Sequence, residues 1–229
     1  MSLLQNLNQL REQAAKEEEE MRKITYELNA RIRELEILGG SIRKTSKESI
    51  NASVNYDVMK SRVFLDKASN NVKNFYRKWN AVKSDFKKTS INLRHRSEDL
   101  QGSYKQAGAL ENDFGSAREE FYEASILYFY FKHERRILEP KELLFCDFEK
   151  YAGALCDFVG ELARRAKHIA MEEKKNIGKI HEYHKDAIKI SNELANFSFS
   201  NRSGIRTKVN ELLGHIQGIE NILYDLTIH

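Results

Sequence analysis

The chain has 229 residues, 38 Lys and Arg against 34 Asp and Glu, and a hydrophobic fraction of 41%. That is enough apolar material for a core, which excludes wholesale disorder. One Pro and 11 Gly leave little turn chemistry for a many-stranded sheet, so an all-α fold is expected. The most apolar stretch, Ala124 to Phe131, is 8 residues long, far short of a membrane span. The opening MSLLQNLNQLREQ has neither the basic nor the apolar region of a signal peptide. Two cysteines, Cys146 and Cys156, make no disulfide framework, so a reducing, cytoplasmic location is expected.

In chain order, Gln5 to Ser49 reads as one long helix or two in line, with Met21, Ile24, Leu28, Ile32, Leu35, Leu38 and Ile42 stepping by three and four. Residues 1–20 form a helical extension, in which the run Glu17 to Glu20 reads as a solvated helix turn. Asn51 to Asn55 is a polar break. A second helix is expected over Tyr56 to Lys88, with Val72, Phe75, Trp79, Val82 and Phe86 on its core face. Gly102, Gly108 and Gly115 mark a looser region from about Leu100 to Ser116. A third helix runs from about Ser116 to Leu138, and a fourth begins at Pro140, where the missing N–H suits a first turn, and continues to Lys175. Ile177 to Leu194 is the next helix, and NFSFSNRSG, 196–204, is a loop. In the last helix Ile205, Val209, Leu212, Ile216, Ile219, Leu223 and Leu226 alternate steps of four and three. That seam packs against a partner helix, either within the bundle or on another subunit. The whole chain reads as one all-helical domain.

Charge is uneven. Between Met21 and Arg96 there are 18 Lys and Arg and 7 Asp and Glu, an excess of +11 in a chain of net charge +4, so the remainder is acidic. A basic stretch of this kind points to an anionic partner, nucleic acid or a membrane surface, or is simply a solvated face. Arg22, Arg33, Lys44 and Lys47 fall roughly on one face of the first helix and are candidates for phosphate contact, with Arg43 beside them. In VKNFYRKWNAVK, 72–83, basic and aromatic residues interleave as in single-strand binders, but Phe75, Trp79 and Val82 suit the core and only Tyr76 is left to stack on a base.

Neither common phosphate cradle is present, nor HExxH, GxSxG or CxxC. No histidine has a Glu three residues before it, which sets aside the four-helix di-iron class. His181 and His184, in KIHEYHKD, read as a solvated face rather than a metal pair. The chemistry rests on two carboxylate pairs. Glu120 and Glu123, three apart in AREEFYEASILYFYF, share one face of an otherwise apolar helix. Asp157 and Glu161, four apart in YAGALCDFVGELARR, do the same, flanked by Gly153 and Gly160. Glycine inside a helix costs about 1 kcal/mol relative to alanine, so these two call for a close approach by another helix or a ligand. Buried carboxylates need a pairing cation or a metal. Four on two apolar helices suggest a site for a hard divalent cation, Mg²⁺ or Mn²⁺; such ions take oxygen ligands, and two of them can activate a water and stabilise the leaving oxygen in phosphodiester hydrolysis. The competing reading is salt bridging by Arg118, Arg164 or Arg165.

YAGALCDFVGELARR, 151–165, resembles the D-x-x-x-E helix of the translin family, in its translin-associated factor X branch. EEFYEASILYFYFK, 119–132, is similar to that branch's E-x-x-E-A helix, NARIRELEILGGSIRK, 29–44, to its first basic helix, and GIRTKVNELLGHIQGIENILYDLTI, 204–228, to its closing helix. The resemblance implies an all-α bundle of about seven helices and a closed, octamer-like shell, built alone or with a translin-like subunit. It implies binding of RNA or single-stranded DNA, and a Mg²⁺-dependent endoribonuclease with Glu120, Glu123, Asp157 and Glu161 as metal ligands and catalytic residues. Ala117 stands where the branch often has a further Glu. The expectation is a ribonuclease binding RNA through Arg33, Arg43, Lys44 and Lys47. The alternatives are a shell that binds single strands without cutting and a crescent-shaped membrane-surface module, of which the last predicts no buried acidic pairs.

Overall fold

The computed structural model describes residues 3–92, 98–172, 176–195 and 203–228. It is all-α: α1 (Leu3–Val54), α2 (Val58–Asn92), α3 (Glu98–Lys132), α4 (Phe148–Met171), α5 (Ile177–Ala195) and α6 (Ser203–Ile228), with a 3₁₀ turn at Pro140–Glu142. The described residues thus hold six α-helices rather than about seven. No helix among them is long and apolar enough to cross a membrane.

The break between the first two helices, 55–57, is shorter and later than the composition implies. α1 runs through Asn51 to Val54, and the chain turns at Tyr56, whose φ is 60°. α2 restarts where the Asp57 carboxylate accepts a hydrogen bond from the Lys60 N–H at 3.0 Å. The loose region expected from Leu100 to Ser116 is instead the first half of α3; the three glycines are carried inside a continuous helix. α3 stops at Lys132, short of Leu138, because Glu134 and Arg135 take left-handed φ values of 45° and 68°. Arg135 is held there by Asp186 and Glu182. Pro140 does not open the fourth helix. It opens a single 3₁₀ turn closed by a Glu139–Glu142 capping box, the chain then extends, and α4 begins at Phe148 because the Asp147 side chain caps the N–H groups of Glu149 and Lys150. Tyr122 and Tyr151 pin this connection by donating to the carbonyls of Phe145 and Leu138, each at 2.7 Å. The loop expected at 196–204 lies outside the described residues as far as 202, and α6 already begins at Ser203.

The chain divides into two compact units, Met1–Ser41 with Asn71–Phe114, and Ile42–Asn70 with Gly115–His229. In the first, Leu28, Ile32 and Leu35 of α1, Val72, Phe75, Trp79 and Val82 of α2, and Leu110 and Phe114 of α3 form the core. Phe75 stacks on Phe114 with ring centroids 3.5 Å apart. Tyr76 is half-buried and packs edge-on against Phe114. The side chain of Phe86 lies outside the described residues. Glu17 to Glu20 are exposed, as a solvated turn should be.

In the second unit α4, α5 and α6 pack on one another. Tyr122, Ile126, Leu127 and Tyr130 of α3, Phe158, Val159 and Leu162 of α4, and Ile180, Tyr183 and Ile190 of α5 are buried. The α6 seam is used inside the protein: Leu212, Ile216, Ile219 and Leu223 are buried, while Ile205, Val209 and Leu226 are part-exposed. The seam therefore no longer argues for a contact between subunits.

Candidate functional site

All four carboxylates named from the sequence lie in the second unit, two on α3 and two on α4. Glu123 is 8% exposed and makes no hydrogen bond or ion pair among the described residues. Burial, and then the neighbouring Asp157 and Glu161 carboxylates, push its pKa from 4.5 up to about 8; Lys208 only partly offsets them. Glu123 is therefore largely protonated at neutral pH. Burial also raises the pKa of Glu120, against the pull of Lys47 and Arg43, and that of Asp157, against a hydrogen bond from Lys208.

The other three acids have cationic partners. Glu120 pairs with Lys47 at 3.3 Å, and its second oxygen is buried without a hydrogen-bond partner. Asp157 pairs with Lys208 at 2.5 Å, and Glu161 with Arg164 at 2.6 Å. Of the three arginines that the salt-bridge reading nominated, Arg164 pairs with Glu161, while Arg118 pairs with Asp147 and Arg165 with Glu172. As placed, no three His, Cys, Asp or Glu side chains among the described residues stand close enough to hold a metal ion. His181 is exposed, as a solvated face should be, whereas His184 is part-buried and faces Glu220 of α6 at 3.0 Å.

Two residues of the site escaped the sequence reading. Glu119 takes Lys150 at 3.3 Å and Lys208 at 2.7 Å, so Lys208 bridges Glu119 and Asp157. Burial opposes the charge on Lys208, but its hydrogen bonds to these two acids win and hold its pKa above the usual value. Lys208 gives no local signal, because it reaches α4 from α6. Glu119 did have one: a Cβ on Gly153 would lie 2.1 Å from the Glu119 Oε1, so Gly153 is the gap that admits this carboxylate. Gly160 makes the matching gap for His215, whose Nε2 lies 3.1 Å from where a Cβ would stand. The close approaches expected at both glycines are present, made by side chains.

A cleft of about 840 Å³ opens on this site. Glu123, Asp157 and Glu161 meet Arg164 and Lys167 of α4 there, and His215 of α6 faces them. Arg43 and Lys47 approach the acids through Glu120. Lys44 is exposed one residue from Arg43, and Arg33 is an exposed residue of the first unit. Of the four basic candidates, Arg43 and Lys47 reach Glu120.

The fold has solved counterparts. The crystal structure of apo-NeC3PO superposes with a TM-score of 0.67 at 19% identity, covering 98% of both chains. A complex of AfC3PO with duplex RNA gives a TM-score of 0.68 at 21% identity over 92% of this chain and 96% of that one, and AfC3PO crystallised separately gives 0.65. The chain therefore has the translin-like fold of these C3PO structures. No protein-family model matches the sequence, and no curated protein matches it.

Proposed function

We propose that this protein is an RNA-binding endoribonuclease that depends on Mg²⁺ or Mn²⁺ and hydrolyses phosphodiesters of single-stranded or looped RNA. One observation carries the reading: Glu123 is buried, unpaired among the described residues and under the electrostatic influence of Asp157, Glu161 and Glu120. A purely structural acid would have a cation against it, since an unpaired buried carboxyl costs stability. The donor set is all oxygen, which suits a hard divalent ion, and Glu120 holds a second orphaned oxygen in reserve. Glu120, Glu123, Asp157 and Glu161 would hold the ion or ions once Lys47, Lys208 and Arg164 release their partners. Bound there, the metal would supply Lewis-acid stabilisation of the phosphate and a water nucleophile at neutral pH.

The chain's own residues prepare the rest. Lys208 keeps Asp157 and Glu119 from repelling each other before the site fills. Glu123 gives up its proton when a cation arrives, so loading should release protons near pH 7. Arg164 and Lys167 line the cleft as cations that attract an anionic strand. RNA as the partner is supported by the AfC3PO complex with duplex RNA, which shares the fold. The proposal includes an oligomeric shell, built alone or with a translin-like second subunit; a monomeric mass by light scattering would exclude it. The free thiols of Cys146 and Cys156 fit a reducing compartment. The second reading is a shell that binds single-stranded DNA or RNA without cutting.

RNA cleavage should require Mg²⁺ or Mn²⁺ and stop with chelator. Glu123→Ala and Asp157→Ala should each abolish it while RNA binding and mass stay unchanged, because metal ligands act as a unit. Wild-type protein that binds RNA but never cuts it with either ion would establish the second reading instead.

A further inference from the structure

The α6 wall of the acidic cleft is bare. Gly214 and Gly218 lie in the interior of α6 and line the cleft with His215 and Ile222. A Cβ added at either glycine would meet no atom within 4 Å, unlike Gly153 and Gly160, which make room for Glu119 and His215. Glycine in a helix interior destabilises it relative to alanine, and no packing among the described residues accounts for the two on α6. What they preserve is open space beside exposed helix backbone. Across that space stands Glu123, 8% exposed, unpaired among the described residues and lining the same cleft. His215 is exposed, held over Gly160, and makes no hydrogen bond or ion pair among the described residues. Lys167, also exposed and without an ion pair there, stands on the α4 side.

We infer that this face of α6 is the seat of the RNA strand at the acidic site, the sugar–phosphate backbone lying against Gly214 and Gly218 with its phosphate between His215 and Lys167. The chemistry matches such a ligand. The seat needs width rather than apolar contact, since a ribose–phosphate unit is bulky and polar. The imidazole N–H and the lysine ammonium are both donors for phosphate oxygens. The cleft, at about 840 Å³, is of the size that small-molecule ligands fill. The inference rests on the proposal that the protein binds RNA, and it assigns that strand's position and two contacts beyond the four acids.

The test measures binding of a fluorescein-labelled single-stranded oligoribonucleotide by anisotropy, in chelator so that cleavage plays no part. Gly218→Leu should weaken binding at least tenfold, and His215→Ala about threefold to tenfold. Gly218→Ala, which adds only the Cβ, should melt about 2–4 °C above wild type, the shift expected for replacing an unneeded helical glycine in a chain of this size. Gly218→Leu with wild-type affinity overturns the seat. So does a lower melting temperature for Gly218→Ala, which would make the glycine a packing requirement. A smaller particle mass for Gly218→Leu would make this face a subunit contact, and displacement of the oligonucleotide by a nucleoside monophosphate at comparable concentration would make it a mononucleotide site; either overturns the proposal. Wild-type protein that does not bind the oligonucleotide refutes RNA binding itself, a result distinct from a variant that binds normally.

Discussion

Glu123 makes a demand on stability that a neutral isostere removes. Its carboxyl titrates at about 8 in the folded protein, against 4.5 for the ordinary group. A folded-state pKa raised above the unfolded value stabilises the protein below pH 4.5, and that contribution is lost as pH rises through 8. At about 1.4 kcal/mol for each tenfold change in proton affinity, the full span is worth about 5 kcal/mol. At pH 7 about 3 kcal/mol of it has gone. Glu123→Gln keeps the shape and carries no ionisable group. Its stability should match that of wild type near pH 4.5 and exceed it by about 3 kcal/mol at pH 7. Glu120 and Asp157, also raised by burial, titrate in both proteins and largely cancel in the comparison. Urea unfolding from pH 4.5 to 8.5, read at constant m, measures the difference. Millimolar Mg²⁺ should raise the wild-type midpoint at pH 8 and leave that of Glu123→Gln unmoved, because the ligands act as a unit and the three remaining carboxylates do not hold the ion without the fourth. Parallel pH profiles for the two proteins would refute the reasoning. So would a Gln variant less stable than wild type at pH 7.5, which would mean that Glu123 carries a structural charge pair.

Lys208→Met strands Asp157, which is part-buried, and leaves Glu119 with Lys150; it should cost about 1–3 kcal/mol at pH 7 by urea unfolding, and equal stability would show that the bridge contributes nothing. Gly153→Ala must drive Glu119 away from Lys150 and Lys208, so thermal unfolding should show a net loss of about 1–3 kcal/mol, even though alanine favours the helix by about 1 kcal/mol. Reversing the charge of Arg43 and Lys47, which reach Glu120, should weaken RNA binding and flatten its salt dependence. The same change at Arg33 and Lys44 tests the exposed pair; affinity unchanged across a salt series would return either pair to a solvated face.

The helical class and the placing of both acidic pairs were legible in the sequence because each depends on local spacing. Residues three or four apart share a helix face whatever lies opposite, so Glu120 with Glu123 and Asp157 with Glu161 could be paired by counting. Gly153 and Gly160 likewise announced a close approach, since glycine in a buried helix needs a reason. Helix ends were less legible. Pro140 suits a first turn, but the Asp147 cap decided where α4 begins, and the left-handed Arg135, fixed by Asp186 of α5, accompanied the end of α3. Which cation meets which acid was decided by tertiary structure alone. Lys208 lies 51 residues from Asp157 and reaches it from another helix, across a register that no periodicity within α4 or α6 encodes. The same holds for the unpaired state of Glu123 and for the bare face of α6. A helical pattern states which side of a helix is buried, and only the packing of several helices states what each buried group meets there.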